Sequence, residues 1–370
     1  MFRFFSKKIY EIEPDAFGLD ISDESFKFAQ LRKKKHSLAL TAFGAGGFSK
    51  ELIDDGEIKK EDNVVAIIKK ALANPQYGRV TTRHVVCSLP EEHSFTRVVQ
   101  LPKMDVTEVG EAIKWEIEQN IPLSINDVYY DWQFVASDQK NIPHQDILIS
   151  AAPKKLIDGY VSVMKKCGLI VKSLEVESVA VSRALVKGLK TDGPVLLVDM
   201  GATRTSFIIF SGSVPQFTSS IPLAGKKMIG AIASVFSVNE EEARKLFFDV
   251  GLDKIPHDGK VYATLEPIIK DLAEQIRSYI SFYESHSMHE HEHPGAVAVQ
   301  KVLLSGGVSN LSGLNMYLAL ALRIPVETGN PWVNILQEPL REVPELSYRK
   351  SLGYTTVLGL ALSGMQKTSL

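Results

Sequence analysis

The sequence predicts an α/β protein of two lobes, and three observations carry that reading. Apolar runs with strand periodicity alternate with runs of helical periodicity along the chain. Its 370 residues exceed what one hydrophobic core usually fills. One device also occurs twice, roughly 180 residues apart. Phe17-Gly18-Leu19-Asp20-Ile21-Ser22-Asp23-Glu24-Ser25-Phe26-Lys27-Phe28 and Leu196-Leu197-Val198-Asp199-Met200-Gly201-Ala202-Thr203-Arg204-Thr205-Ser206-Phe207-Ile208-Ile209-Phe210 each read as an apolar strand ending in Asp, a small or polar turn, and a second apolar strand. Each is a β-hairpin with a carboxylate at its mouth.

Taking the elements in order, the first hairpin is followed by a strand over Leu38–Phe43, an amphipathic helix over Lys60–Ala73 and a strand over Val80–Leu89. A compact β-α-β-β-α unit comes next: strand Val98–Pro102, helix Val106–Asn120 stopped by Ile121-Pro122, strands Tyr129–Ala136 and Ile147–Ala152, and helix Lys154–Cys167 closed by a left-handed Gly168. Ser137–Gln145 is its exposed loop. Helix Glu177–Leu189 leads to Thr191-Asp192-Gly193-Pro194, a turn cluster that reads as the linker between lobes. After the second hairpin come helical blocks over Lys226–Phe248 and Thr264–Ser287, a buried strand Val299–Leu304 ending in Ser305-Gly306-Gly307, helix Leu311–Leu322 and an apolar helix Tyr354–Gly364.

Composition narrows the function. Apolar residues make up 45% and charged residues 23%, as in soluble globular proteins. The net charge of −2 and the lack of a long basic tract argue against a nucleic-acid partner. Two cysteines, Cys87 and Cys167, make no disulfide framework and fit a reducing, cytoplasmic compartment. Cys87, in the run Val85-Val86-Cys87, reads as a small buried apolar residue. No apolar run is long enough to cross a bilayer. The start, Met1-Phe2-Arg3-Phe4-Phe5 with Lys7 and Lys8, is too short in its apolar part for a signal peptide; it reads as a self-packed or disordered terminus, or as a segment resting on anionic lipid.

Two facing hairpins of this kind can hold a phosphate chain and its cation. A polyphosphate needs backbone N–H donors, close approach without bulky side chains, and a divalent cation. Gly201, Ala202 and Thr203 supply a small turn and a hydroxyl; Asp199 stands where it can hold hydrated Mg²⁺, and Asp20 with Ser22 does the same in the first hairpin. The strand opening into Ser305, Gly306 and Gly307 lets a base or ribose approach the backbone. A plain hairpin turn and a plain strand-to-helix turn are the structural readings of the same residues.

Two Asp hairpins followed by a late Gly-Gly turn, in this order, resemble the actin-like ATPase superfamily, with its two ribonuclease-H-like lobes. The strings Ser88-Leu89-Pro90, Val99-Gln100-Leu101-Pro102-Lys103-Met104 and Ala112-Ile113-Lys114-Trp115-Glu116-Ile117-Glu118-Gln119-Asn120-Ile121-Pro122, the opening Met1–Phe5 and the late Leu358-Gly359-Leu360-Ala361-Leu362 are similar to the type IV pilus assembly PilM family, an FtsA-like branch with an inserted subdomain. The resemblance implies a first lobe at 1–87 with 169–191 and the helix at 354–370, an insert at 88–168, and a second lobe at 192–353 with a helical part near 222–298. It implies ATP or ADP with Mg²⁺ at Asp20, Ser22, Asp199, Gly201, Ala202, Thr203, Gly225, Glu242, Ser305, Gly306 and Gly307. It further implies a cytoplasmic scaffold at the inner face of the cytoplasmic membrane, serving a type IV pilus or a related type II secretion platform. That scaffold would dock the cytoplasmic N-terminal peptide of a PilN-like membrane protein, in a groove including Val98, Val99, Leu101 and Trp115. Trp115 reads equally well as a packing residue.

The departures from the family pattern bear on catalysis. Ser22 stands where the family's first loop has Gly, Lys226 follows the one retained glycine, Gly225, and Arg244 and Phe247 stand where Glu and Lys are common near the nucleoside. Glu177 is the nearest candidate for a catalytic base, and at most slow ATP hydrolysis is expected. An FtsA-like division anchor and a small-molecule kinase are the rival readings; the first lacks its terminal amphipathic helix and the second lacks a sugar-site motif. The histidines His286, His289, His291 and His293 read as an exposed loop rather than a metal site, and Arg32-Lys33-Lys34-Lys35-His36 as a solvated hairpin tip.

Overall fold

The computed structural model describes residues 14–35, 37–121, 123–135, 144–287, 298–337, 339 and 343–366. The strands β1 (Phe17–Ile21), β2 (Ser25–Lys33) and β3 (Leu38–Gly47) form a meander, followed by a small hairpin of β4 (Ile53–Asp54) and β5 (Glu57–Ile58), then α1 (Glu61–Ala73), β6 (Tyr77–Gly78) and β7 (His84–Leu89). The next segment holds β8 (Phe95–Pro102), α2 (Val106–Asn120), β9 (Val128–Phe134), β10 (His144–Pro153) and α3 (Lys154–Lys166); β11 (Ile170–Val176) and α4 (Glu177–Leu185) follow. The second half contains β12 (Thr191–Met200), β13 (Thr205–Gly212), β14 (Val214–Ile221), α5 (Gly225–Phe236), α6 (Glu240–Asp249), α7 (Lys260–Ser287), β15 (Lys301–Ser305), α8 (Leu314–Leu322) and β16 (Val326–Thr328). The chain closes with α9 (Tyr348–Ser351) and α10 (Thr355–Gly364).

The duplication seen in the hairpins extends to whole sheets. One sheet has the order β11-β7-β1-β2-β3-β6 and the other β14-β13-β12-β15-β16. In each, the Asp-bearing strand lies antiparallel to the strand after its hairpin turn and parallel to a later strand, β7 beside β1 and β15 beside β12. Both carboxylates therefore emerge at the same edge of equivalent central strands.

Each sheet is covered on both faces. In the first lobe, Leu19, Ile21, Phe26 and Phe28 pack against α1 and α3, while α10 lies against the other face through Val357, Leu358 and Ala361. That contact is intimate because glycines remove the side chains between backbones: a Cβ on Gly18 would stand 2.5 Å from the Val357 carbonyl, and one on Gly359 would stand 1.9 Å from that of Ala180 in α4. On its other side α4 sends Val181 and Leu185 onto Leu197, Ile208 and Phe210 of the second sheet. Helices α4 and α10 are thus the shared layer between lobes. The remaining face of the second sheet packs on α5, α6, α7 and α8.

The inserted unit is a three-stranded sheet, β8-β10-β9, whose one face takes Val109, Ile113 and Ile117 of α2. A capping box between Asp105 and Glu108 sets the helix start at Val106. Its expected last helix, α3, belongs by packing elsewhere: Leu156, Tyr160, Val163 and Met164 are core residues of the first lobe.

Several expectations need correction. The supposed linker Thr191–Pro194 is the beginning of β12, where the pairing register slips between Thr191 and Val195; Pro194 gives up no ladder bond there, and its carbonyl accepts from Gln300 N at 2.9 Å. The strand expected from Val80 begins at His84. Strands β11, β14 and β16 had no counterpart in the sequence reading; β11 and β14 lie at sheet edges and carry polar residues in place of clean alternation. Phe247 is fully buried in the second core and does not line a cleft. Cys87 is buried as expected, and both thiols are free. Gly168 has φ +78°, the expected left-handed close of α3. His286 stacks on Phe282 with ring centroids 3.9 Å apart; His36, Pro122, His289, His291, His293, the opening segment and residues 136–143 lie outside the described residues.

Candidate functional site

The two sheets bring their hairpins together, and the likeness between them reaches further than the aspartates. On the parallel neighbour of each Asp strand, a serine stands at the end or one residue before it. Ser305 Oγ donates to Asp199 Oδ1 at 2.6 Å, and Asp199 is in register with Ser305. In the first lobe Ser88 is the last residue but one of β7; its hydroxyl accepts from Ile21 N at 3.0 Å and works to lower the pKa of Asp20. Sequence reasoning missed Ser88 as a site residue. The matching signal was present, since Val86-Cys87-Ser88 and Leu303-Leu304-Ser305 are both apolar runs that meet a serine.

Glu177, at the start of α4, joins the two aspartates. All three residues are half-buried, and loss of water around their carboxyls is the largest influence on each and pushes their pKa values up. Asp20 and Asp199 both add repulsion at Glu177, and Asp20 adds it at Asp199. Lys27 works the other way on both aspartates. Asp20 Oδ1 is buried without a hydrogen-bond partner. Glu91, 5% exposed, accepts from Ser178 N at 3.0 Å through one oxygen and leaves the other unpartnered; burial raises its pKa as well. This is a seam of carboxyl groups short of positive charge.

The turns are built tightly. Ser22 N and Ser22 Oγ both donate to the Ser25 carbonyl, at 2.8 and 3.0 Å, so Ser22 folds its own turn. Gly201 N donates to the Arg204 carbonyl at 2.9 Å, while Gly225 N and Lys226 N donate to the carbonyls of Gly201 and Ala202. Among the described residues no acceptor meets the N–H groups of Ala202 and Thr203. Gly306 has φ +82°, and a Cβ there would stand 2.2 Å from the Met200 carbonyl; only glycine lets this turn close on the second hairpin. Asp20, Ser22, Asp199, Gly201, Ala202, Thr203, Gly225, Ser305, Gly306 and Gly307 thus sit on the hairpins or on segments bonded to them. Glu242 does not: it is exposed in the first turn of α6, where its N–H is capped by Asn239 at 3.0 Å.

Ion pairs cross from the second lobe to the first. Lys226 Nζ reaches Glu24 Oε1 at 2.5 Å. Arg204 approaches Glu92 at 3.6 Å and Asp55 at 3.9 Å, and also bonds Ser220. Asp55, Glu92 and His93 have donor atoms within 4.8 Å of one another, with Arg204 as their cation. A cavity of about 400 Å³ lined by Ser309, Asn310, Asn315, Thr328, Tyr348 and Arg349 shares none of these residues with the hairpins.

The four residues expected to form a partner groove do not come together. Val99 and Leu101 are in the core of the insert. Val98 points to the opposite face of its sheet, and Trp115, 66% exposed, lies on the outer side of α2. On the Val98 face, Thr96 Oγ1 is buried without a hydrogen-bond partner, and Asp146 Oδ1 faces His144 Nε2 at 3.7 Å.

Two ribonuclease-H-like sheets with a carboxylate-lined seam between them define the actin-like ATPase fold. A family model described as type IV pilus assembly protein PilM matches residues 18–365, and the chain belongs to that family. Among solved structures, the chain resembles one in a PilM–PilN type IV pilus biogenesis complex with a TM-score of 0.77 and 24% identity, covering 95% of this chain and 99% of that one. The ethanolamine utilization protein EutJ of Carboxydothermus hydrogenoformans gives a TM-score of 0.53 at 14% identity, over 95% of this chain and 90% of its own. MreB5 of Spiroplasma citri bound to ADP gives 0.50 at 11%, over 93% and 94%. The cell division protein FtsA of Pseudomonas aeruginosa is 21% identical over 228 residues, 56% of this chain; the match spans half the length of that relative. Among the described residues no helix is long and apolar enough to cross a membrane.

Proposed function

We propose that this chain is a nucleotide-binding scaffold of a type IV pilus assembly platform, taking ATP or ADP with Mg²⁺ between its hairpins. The observation that carries the reading is the pair of Asp–Ser strand ends meeting at one carboxyl seam, with Asp20 Oδ1 unpartnered. The donor set fits a hydrated hard cation: oxygen ligands, raised pKa values and a local shortage of positive charge. Mg²⁺, when bound, would supply countercharge to the phosphates. Asp20 and Asp199 would hold it, Ala202 and Thr203 would offer N–H groups to the phosphates, and the Gly306-Gly307 turn would admit the nucleoside. Burial and the neighbouring carboxyls raise the pKa of Glu177, and with Ser22 in the first turn and Lys226 after Gly225 this fits slow turnover or none.

The scaffold role rests on family membership. The partner is the N-terminal peptide of a PilN-like membrane protein, the surface is the Val98 face of the insert, and the location is beside the inner membrane. Thr96 Oγ1, buried without a hydrogen-bond partner, supports that surface, because a bound peptide's donor relieves its cost. Calorimetry with such a peptide, with and without ATP and Mg²⁺, tests the proposal; no heat from peptide or nucleotide defeats it. Val98→Asp is expected to weaken the peptide at least tenfold, about 1.4 kcal/mol, while Trp115→Ala changes its affinity less than twofold. The reverse pattern moves the surface to the outer side of α2.

A further inference from the structure

Lys226 stands one residue past Gly225, where the hairpin and α5 are stitched together. Its own N–H donates to the Ala202 carbonyl at 2.9 Å, so its backbone is fixed to the turn that carries the candidate phosphate donors. Its side chain is 57% exposed and its ammonium reaches across the mouth of the cleft to Glu24, in the turn of the opposite hairpin, at 2.5 Å. Arg204, the other cation of this region, is tied to Glu92, Asp55 and Ser220. Lys226 has Glu24 as its ion-pair partner among the described residues.

We propose that Lys226 is a ligand for the terminal phosphates of a nucleoside triphosphate, parked on Glu24 when no phosphate is present. An exposed lysine–carboxylate pair contributes little stability, so it exchanges readily, and a polyphosphate bearing several negative charges is the stronger partner. Glu24 then acts as a competitor, both by holding the ammonium and by repelling phosphate from the same turn. The long, flexible stem of lysine allows the transfer without moving α5. The inference rests on the nucleotide reading above.

The test is a titration of fluorescent MANT-ATP and MANT-AMP, at fixed Mg²⁺ and salt, against the wild type, Lys226→Met and Glu24→Gln. The two substitutions are expected to act in opposite directions. Lys226→Met weakens MANT-ATP about tenfold, Glu24→Gln tightens it about threefold, and MANT-AMP, which lacks the distal phosphates, shifts little with either. A salt bridge that merely holds the lobes together predicts the same sign for both variants. Shifts in the same direction, or wild-type affinity in Lys226→Met, overturn the role of Lys226 and leave the cleft intact. No binding of MANT-ATP by the wild type overturns the nucleotide reading and this inference with it. Both residues are on the surface, so matching thermal melts are expected for all three proteins.

Discussion

Gly359→Ala is expected to cost about 3–5 kcal/mol of stability. The added Cβ would stand 1.9 Å from the Ala180 carbonyl and 2.5 Å from its carbon. Those are backbone atoms of α4, with no flexible side chain to turn aside, so α4 and α10 must separate. The cost spreads because α4 also packs on the second sheet. Gly110→Ala is the control: it lies within α2, nothing stands within 4 Å of its Cβ position, and a gain of about 0.5–1 kcal/mol is expected from helix propensity alone. Urea unfolding measures both. A Gly359→Ala protein with the wild-type midpoint contradicts the packing described.

The carboxyl seam makes stability depend on pH with an unusual sign. Burial raises the folded-state pKa of Glu177, Asp20 and Asp199. Above the ordinary carboxylate range the unfolded chain has released these protons while the folded chain still holds them. The folded state then binds more protons, and stability from these groups falls as pH rises. Glu177→Gln removes one titrating group at similar shape. Its melting temperature, relative to wild type, is expected to climb as pH is taken from 5 to 8, by about 2–4 °C for each kcal/mol relieved. Saturating Mg²⁺ with ATP is expected to shrink the difference, because a cation stabilises the ionised carboxyls. A difference independent of pH defeats this account.

The centre of each lobe was legible because it is apolar and repeated. Residues of β1, β12 and β13 are buried on both faces, so continuous hydrophobic runs stand beside the two aspartates, and alternation with helices fixed the class. The edges were not legible. In β14, Pro215, Gln216, Thr218, Ser219 and Ser220 mask the strand, because half-exposed positions put little demand on residue type. At the site, Asp20 and Asp199 could be found by their twin contexts, whereas the Lys226–Glu24 pair could not. Those residues are 202 positions apart, and no local pattern records a meeting made by the stacking of two sheets. The partner-surface residues failed for a related reason: alternation along β8 puts Val98 and Val99 on opposite faces, and which face lies inward depends on where α2 lands.

The bare backbone contact between β1 and α10 also bears on how the molecule comes into being. Gly18 and Val357 meet across more than 300 positions of chain, so a ribosome has delivered all of the intervening residues before β1 gains the helix that seals its outer face. Until then the surfaces that will receive α10, among them Leu31, Phe43 and the Gly18 stripe, remain uncovered. The second lobe owes nothing to that last helix for its larger core and can settle beforehand. Birth of this protein at the ribosome should therefore run against its reading order, with the lobe made first being the lobe finished last.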